Sequence, residues 1–313
     1  MQVNTVCALG GAGFIGRHVV RELDLAGYRV KVLTRRRENA KHLILLPNVQ
    51  VAECDIMNDS ALHDAVKGSD AIINLVGILH QSRRTTFEAM HGDLPRRLVA
   101  ICKDAGIRRL IQLSALHASS AAPSIYLRSK AMGEAAIKAS KLDWTVFRPS
   151  VVFGDGDNFL NLFATIAKLS PIIPLAAPNA RFQPIWVEDL ARAIAASVNN
   201  PQTWQQCYDM CGPRVYSMKQ LVAFAAKAVG ANPRIIGLNS HLSYLQALLM
   251  ELLPVPLMSR DNLRSTEIDS VSTNPFPAIF GITPTPLEAI APRYLSSATP
   301  RASYLRYRQN AGR

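Results

Sequence analysis

The stretch that most constrains this chain is Gly10-Gly11-Ala12-Gly13-Phe14-Ile15-Gly16. It follows the apolar run Thr5-Val6-Cys7-Ala8-Leu9 and precedes Arg17-His18-Val19-Val20-Arg21-Glu22-Leu23. The run reads as a buried parallel strand, and Ile15, Val19, Val20 and Leu23 share one helical face. A strand, a glycine turn and a helix start in this order form the first half of a dinucleotide-binding unit. Gly10 allows the tight turn out of the strand. Gly13 leaves the backbone open to a pyrophosphate, and Gly16 lets the helix pack closely on the sheet. The helix N-terminus, with Phe14 and Ile15 in its first turn, offers free N–H groups to the phosphates. A plain strand-to-helix turn is the alternative; the spacing and the flanks favour the nucleotide site.

Further strands are expected at Arg29–Thr34, Val49–Glu53, Ala71–Val76, Leu110–Ser114 and Trp144–Phe147, with helical stretches between them. Near-continuous apolar runs such as Ala71-Ile72-Ile73-Asn74-Leu75-Val76 belong in parallel sheets covered on both faces. The expected fold is α/β, a Rossmann-type doubly wound parallel sheet. After Gly154 the sheet pattern stops. An amphipathic helix over Phe159–Leu169, a proline-rich connection to Ala180, a helix over 186–199 and a helix begun by Ser217 follow. These predict a smaller C-terminal substrate or lid subdomain. The nucleotide domain takes residues 1–155 and about 184–212; the lid takes about 156–183 and 213–295; 296–313 form a basic tail.

The second strand ends in Thr34-Arg35-Arg36-Arg37. An NAD site places an acid here to bond the ribose 2′-hydroxyl. Arginines suit a 2′-phosphate through charge and bidentate geometry. NADP(H) is therefore expected in preference to NAD(H). Asp55, just past the third strand, fits either an adenine amino group or a cap for the next helix.

Tyr126-Leu127-Arg128-Ser129-Lys130 lies beyond the fifth strand. On a helix Tyr126 and Lys130 share a face. An ammonium beside a phenol favours the phenolate and brings the tyrosine towards acid–base duty.

With these residues the chain resembles the short-chain dehydrogenase/reductase superfamily, in its extended or atypical branch. The matching positions are Gly10, Gly13 and Gly16; Asp55-Ile56; Asn74-Leu75-Val76-Gly77; Tyr126 and Lys130; Arg148-Pro149-Ser150-Val151-Val152-Phe153-Gly154; and Gln183-Pro184-Ile185-Trp186-Val187-Glu188-Asp189-Leu190-Ala191. Within that branch it is most similar to the NAD(P)H-binding accessory subunit of respiratory complex I and its bacterial relatives. The strand end Asn74-Leu75-Val76-Gly77, Gln183-Pro184-Ile185-Trp186-Val187-Glu188-Asp189, and Leu252-Leu253-Pro254-Val255-Pro256 with Arg260-Asp261-Asn262-Leu263 carry that narrower likeness.

The resemblance implies that Tyr126 exchanges a proton with a substrate carbonyl or alcohol, that Lys130 holds the nicotinamide ribose, and that a serine polarises the substrate oxygen. Ser114 is the candidate, with Ser119 or Ser120 as alternatives. Nucleotide contacts are implied for Gly10, Gly13, Phe14, Ile15, Gly16, Thr34, Arg35, Arg36, Asp55, Ile56, Leu75, Val76, Gly77, Pro149, Val151 and Val152, besides Tyr126 and Lys130. The implied function is an NADP(H)-dependent oxidoreductase tied to respiratory or quinone metabolism. The alternative is a non-catalytic, nucleotide-stabilised accessory or assembly subunit of NADH:ubiquinone oxidoreductase. A nucleotide-sugar epimerase or dehydratase ranks third.

Apolar residues make up 49% of the 313 and charged residues 19%, so a sizeable core is available and wholesale disorder is excluded. The net charge of +12 fits a phosphorylated ligand or an anionic membrane surface. Nucleic acid is not expected, because no recognition motif accompanies the charge. Cys7, Cys54, Cys102, Cys207 and Cys211 lack framework spacing, and the last two lack further ligands nearby, so reduced thiols and no metal are expected. The chain runs straight into its first strand and has no membrane-spanning run, which predicts a cytoplasmic protein, peripheral to the inner membrane at most. The basic tail (Arg301, Arg306, Arg308, Arg313) reads as a solvated surface. Leu242, Leu245, Leu248, Leu249, Leu252 and Leu253 form an apolar stripe. Packing on the lid core is the plainer expectation for it; an interfacial or partner-docking helix is the other.

Overall fold

The computed structural model describes residues 2–82, 85–253 and 257–296. The chain begins with β1 (Thr5–Leu9), α1 (Phe14–Leu25), β2 (Arg29–Thr34) and β3 (Val49–Glu53). Then come α2 (Asp59–Val66), β4 (Ala71–Asn74), α3 (Leu94–Asp104), β5 (Arg109–Leu113), α4 (Ile125–Lys138) and β6 (Asp143–Pro149). The next pieces are β7 (Val152–Phe153), α5 (Leu160–Leu169), β8 (Ile172–Leu175), β9 (Arg181–Phe182), β10 (Ile185–Trp186), α6 (Val187–Ser197) and β11 (Gln206–Met210). The last are β12 (Tyr216–Ser217), α7 (Met218–Ala228), β13 (Arg234–Gly237), α8 (Ser240–Glu251), α9 (Arg260–Ser265) and α10 (Leu287–Leu295).

Seven strands form one parallel sheet in the order β11-β6-β5-β4-β1-β2-β3. Side chains alternate across it. Val6 and Ala8 face Val19, Val20 and Leu23 of α1 and Leu190 and Ile194 of α6. Cys7 and Leu9 face Leu62 and Val66 of α2 and Leu94, Leu98 and Cys102 of α3. A strand buried on both faces has no polar alternation to show, which is why these runs are apolar throughout. Each large side chain so buried contributes about 1.5–3 kcal/mol.

β4 stops at Asn74, two residues before its expected end. The Asn74 side chain accepts the Val76 N–H at 3.2 Å and donates to Gln112 Oε1 at 2.9 Å, turning the backbone out of the ladder. At the other end of the sheet Arg109, buried in β5, donates to the carbonyls of Ser197 at 2.7 Å and Val198 at 3.1 Å. A cation at these terminal carbonyls of α6 satisfies orphan acceptors and complements the helix dipole. Burial pushes this guanidinium down to about 10.

Sheet pairing does not stop after Gly154. β7 pairs with β10 and β8 with β13, both parallel, and β9 pairs with β12 antiparallel. β8 lies inside the stretch expected to be an irregular connection. Ile173 and Leu175 alternate inward there, and a short edge-type pairing tolerates Pro174 between them. α5, α7 and α10 pack through Leu160, Ala164, Leu221, Ala225, Leu287 and Ala291 into a separate core. Ser217 caps α7 in a reciprocal box with Gln220, as its position in the sequence suggests.

The leucine stripe is not packed on this annex. Leu245 is 49% exposed and Leu249 58%, while α8 rests on its buried Ser243 and Ala247. Small residues on one face let the helix approach closely and turn the leucines outward. Among the described residues no helix is long and apolar enough to cross a membrane. Pro254-Val255-Pro256 and the basic tail beyond Ser296, with its four arginines, lie outside the described residues.

Candidate functional site

Strand order reverses between β1 and β4, so the loops leaving these two strands part and open a crevice at their C-terminal ends. Gly10 holds φ +74°, and a Cβ there would stand 2.9 Å from the Leu75 carbonyl carbon. Only glycine allows the two loops to touch. A Cβ on Gly16 would lie 2.2 Å from the Gly10 carbonyl oxygen, so close helix packing demands glycine there too. Gly13 differs: its Cβ would meet only the Gly10 oxygen, at 3.2 Å. That single contact is tight, but the fold crowds this position much less than Gly10 or Gly16.

Gly13 is also the N-cap of α1. No side chain caps this end and no acid stands in its first turn. Phe14, Ile15 and Gly16 thus open a helix whose leading N–H groups point into the crevice, an arrangement made for an anion. The Arg17 guanidinium donates to the Asp155 carbonyl and ties the following turn of α1 to the loop after β7. From Pro149, the last residue of β6, the chain runs through Val151 into β7, which begins at Val152, and Gly154 just after β7 lies beside the Phe14 ring. The Gly13–Gly16 turn fits a dinucleotide pyrophosphate in shape and polarity.

At the end of β2, Thr34 is buried, and its hydroxyl donates to the Arg36 carbonyl at 3.0 Å. This fixes the turn from which Arg35 and Arg36 project into solvent. Glu38, the first acid after them, is paired with Lys41. The Glu53 carboxylate, at the end of β3, accepts the Arg37 backbone N–H at 2.7 Å; among the described residues no carboxylate forms an ion pair with the side chains of Arg35, Arg36 or Arg37. Asp55 is exposed past β3, with Ile56 half-buried beside it. Asp55 does not cap α2. Asn58 does so by accepting the Ala61 N–H at 3.1 Å, while Asp55 Oδ1 accepts the Met57 N–H at 3.0 Å.

On the other side of β1, Val76 and Gly77 follow β4, and Lys130 Nζ lies 3.6 Å from where a Gly77 Cβ would be. Lys130 Nζ donates to the Leu113 carbonyl at 3.3 Å, at the end of β5. Tyr126 stands one turn earlier on α4, its ring packed edge-on against Phe87 and His91. Burial pushes its phenol up to about 12 and pushes Lys130 down to about 8, the latter opposed by Glu134. The i,i+4 spacing does put both residues on one face. It does not lower the phenol here: burial alone sets the direction of its shift.

Ser114 is buried just past β5. Its hydroxyl lies close enough to help hold the Glu134 carboxyl ionised, yet makes no well-formed hydrogen bond. Burial pushes Glu134 up, but Arg148, Ser114 and Lys138 together outweigh it and hold the carboxyl below its ordinary value. Arg148 grips it with two bonds, of 2.9 and 2.5 Å. Ser119 and Ser120 are exposed, and the Ser119 hydroxyl accepts the Ala121 N–H.

One contributor escaped the sequence reading. His91, buried in a π-helical turn over Glu88–Asp93, accepts the Ile78 N–H at Nε2, at 3.0 Å. Its proton therefore sits on Nδ1, which is 3.0 Å from Ser129 Oγ. Ser129 in turn donates to the Tyr126 carbonyl at 2.7 Å. The chain ties the loop after Gly77 to the first turn of α4. Its signal is Gly133, a glycine inside a helix: a Cβ there would strike the His91 carbonyl oxygen at 2.1 Å.

The family model described as NAD(P)H-binding matches residues 10–201. Subunit 9 of the NADH dehydrogenase [ubiquinone] 1 alpha subcomplex, mitochondrial, from Rattus norvegicus is 30% identical over 289 residues, covering 89% of this chain and 76% of that protein. A ceramide reductase from Caulobacter vibrioides is 31% identical over 234 residues, 74% of this chain and 73% of that one. An NADPH-dependent quinone oxidoreductase from Escherichia coli, solved with NADPH, superposes with a TM-score of 0.72 at 18% identity, covering 93% of this chain and 99% of that chain, a likeness of fold alone. With the crevice, the open α1 terminus and the Tyr126–Lys130 helix, these matches make the chain a member of the NAD(P)H-binding family, homologous to subunit 9 of the NADH dehydrogenase [ubiquinone] 1 alpha subcomplex.

Proposed function

We propose that this protein is an NADP(H)-dependent oxidoreductase acting on a carbonyl or alcohol, working at the inner-membrane face in respiratory or quinone metabolism. The observation that carries the reading is the meeting of Lys130, Gly77 and the β5 end at the same sheet edge as the uncapped start of α1. Gly10, Gly13 and the first N–H groups of α1 take the pyrophosphate, with Phe14, Ile15 and Gly16 in that turn. Thr34, Arg35 and Arg36 take the 2′-phosphate, and Asp55 and Ile56 the adenine. Leu75, Val76, Gly77, Lys130, Pro149, Val151 and Val152 line the nicotinamide half.

A bound nicotinamide dinucleotide supplies or accepts the hydride. Tyr126 supplies or takes the proton at the substrate oxygen, which requires its hydroxyl protonated for reduction; a phenol held near 12 meets that requirement at neutral pH. Lys130 orients the ribose and, through the Leu113 carbonyl, keeps its place against the sheet. Ser114 has hydrogen-bonding capacity to spare for the substrate oxygen. The annex, residues about 156–183 and 213–295, serves as the lid.

The test is turnover of NADPH with a panel of quinones and apolar ketones. Tyr126→Phe should bind NADPH normally and turn over about 10²–10⁴-fold more slowly. Equal titration of the unmodified protein by NADPH and NADH would remove the preference for NADP(H). A second reading, a nucleotide-stabilised accessory or assembly subunit, is favoured by the 30% identity to the complex I subunit and by the proximity of Ser114 to Glu134. It predicts that Tyr126→Phe rescues a deletion strain fully while Gly13→Val does not.

A further inference from the structure

Three successive residues of α9 bind three different elements. Arg260 gives its N–H to Glu251 Oε1 at 2.6 Å and its Nε to Oε2 at 2.8 Å, joining α9 to α8. Asp261 Oδ1 accepts the Ile125 N–H at 2.7 Å, and Oδ2 the Tyr126 N–H at 3.0 Å. Asn262 donates from Nδ2 to the Leu79 carbonyl at 3.3 Å, in the loop after β4. Ser259 and Asn262 cap each other, so the short helix holds its shape.

The first turn of α4 needs this help. Its own cap, Ser124, reaches only the Leu127 N–H, at 3.2 Å, and the turn carries no acid. A carboxylate from more than 130 residues away therefore satisfies two orphan donors and supplies the negative charge that the positive end of the helix favours. Lys130, one turn on, is secured separately by the Leu113 carbonyl. Tyr126 and Lys130 thus depend on different anchors.

We propose that Asp261 is a positioning residue for Tyr126, and that the Arg260-Asp261-Asn262 run transmits the placement of α8 to the proton-transfer end of the site. The proposal rests on the reading of Tyr126 given above. Loss of the carboxylate frays the first turn of α4, so it disturbs the tyrosine and spares the nucleotide contacts. The leucine face of α8, braced to the same run through Glu251, is then a handle on Tyr126.

The experiment follows amide hydrogen exchange and kinetics in the full chain. In Asp261→Ala, exchange at Ile125 and Tyr126 should rise by about 10–100-fold, while amides after Lys130 keep their protection. The kcat should fall by about tenfold with the Kd for NADPH unchanged, and Asp261→Asn, which keeps an acceptor, should recover part of the loss. Wild-type exchange at the two amides in Asp261→Ala overturns the clamp. Loss of NADPH affinity in step with kcat overturns the positioning role. If Asp261→Ala does not fold, Arg260→Ala, which frees α9 from Glu251, should raise exchange at the same two amides; no rise there overturns the proposal. Should Tyr126→Phe retain full turnover while the exchange pattern holds, the catalytic reading fails and the clamp stands.

Discussion

Lys130 Nζ stands 5.9 Å from the centroid of the Tyr126 ring, and its hydrogen bond runs to the Leu113 carbonyl rather than to the phenol. Burial lowers the lysine to about 8. Its charge is present at neutral pH and is lost as pH rises through that value. NADPH affinity should therefore drop by about tenfold between about pH 7 and 9, through loss of a charge-assisted contact. Calorimetric titration checks this; Lys130→Met should bind weakly with a flat profile, and a flat profile in the unmodified protein counts against lysine–ribose contact.

The three glycines of the loop should separate into two kinds. Gly16→Ala forces a Cβ to 2.2 Å from the Gly10 oxygen, so stability should fall by about 1–3 kcal/mol or more. Gly13→Ala presses on one backbone oxygen at 3.2 Å and should fold with a smaller loss than Gly16→Ala, yet fail to bind NADPH. Thermal melts with and without NADPH distinguish the two: Gly13→Ala should lower the basal melting temperature less than Gly16→Ala does and lose the ligand-induced rise.

His91 should make the fold acid-sensitive. Burial, with repulsion from Lys130, pushes the imidazole down from 6.5 to about 2. Between those values the unfolded chain binds a proton that the folded chain refuses, so stability falls as pH drops below about 6.5. The loss at pH 4.5 is about 3 kcal/mol. Urea unfolding at pH 7 and 4.5 should show His91→Gln less stable at neutrality but with a shallower acid slope. Parallel slopes would mean that the ring is not kept neutral.

The outward face of α8 should bring the protein to anionic lipid. With Leu245 and Leu249 about half exposed and a net charge of +12, flotation with anionic liposomes is expected at low salt, weakening as salt rises. Leu245→Glu together with Leu249→Glu should abolish flotation and leave the melting temperature unchanged. A protein that stays behind with every vesicle composition reserves that face for another protein.

The strands of the nucleotide half were legible because each is a short apolar run bounded by turn residues; β1, β2 and β3 lie where the pattern puts them. The glycine loop was legible for the same local reason. The two-residue strands β7, β9, β10 and β12 were not, since two residues carry no period. Asp261 and His91 were invisible as site residues: each acts across a long separation in the chain, and nothing near it in sequence announces its partner. The leucines of α8 show the converse. Their spacing announces an apolar face, but whether it turns inward depended on Ser243 and Ala247, the smaller residues between them.

β11, the edge strand beside β6, and α6, which covers α1, both come after β8 and β9 in the chain. The nucleotide half is therefore not complete when its first six strands have left the ribosome. Until residues 187–210 emerge, the side of α1 that α6 covers lies bare, although α1 already packs on β1, and β6 is an open edge, the kind of surface that invites association between nascent chains. Truncation near residue 155 should therefore leave that edge unpaired and that side of α1 uncovered, a fragment expected to associate rather than to stand as an independent module.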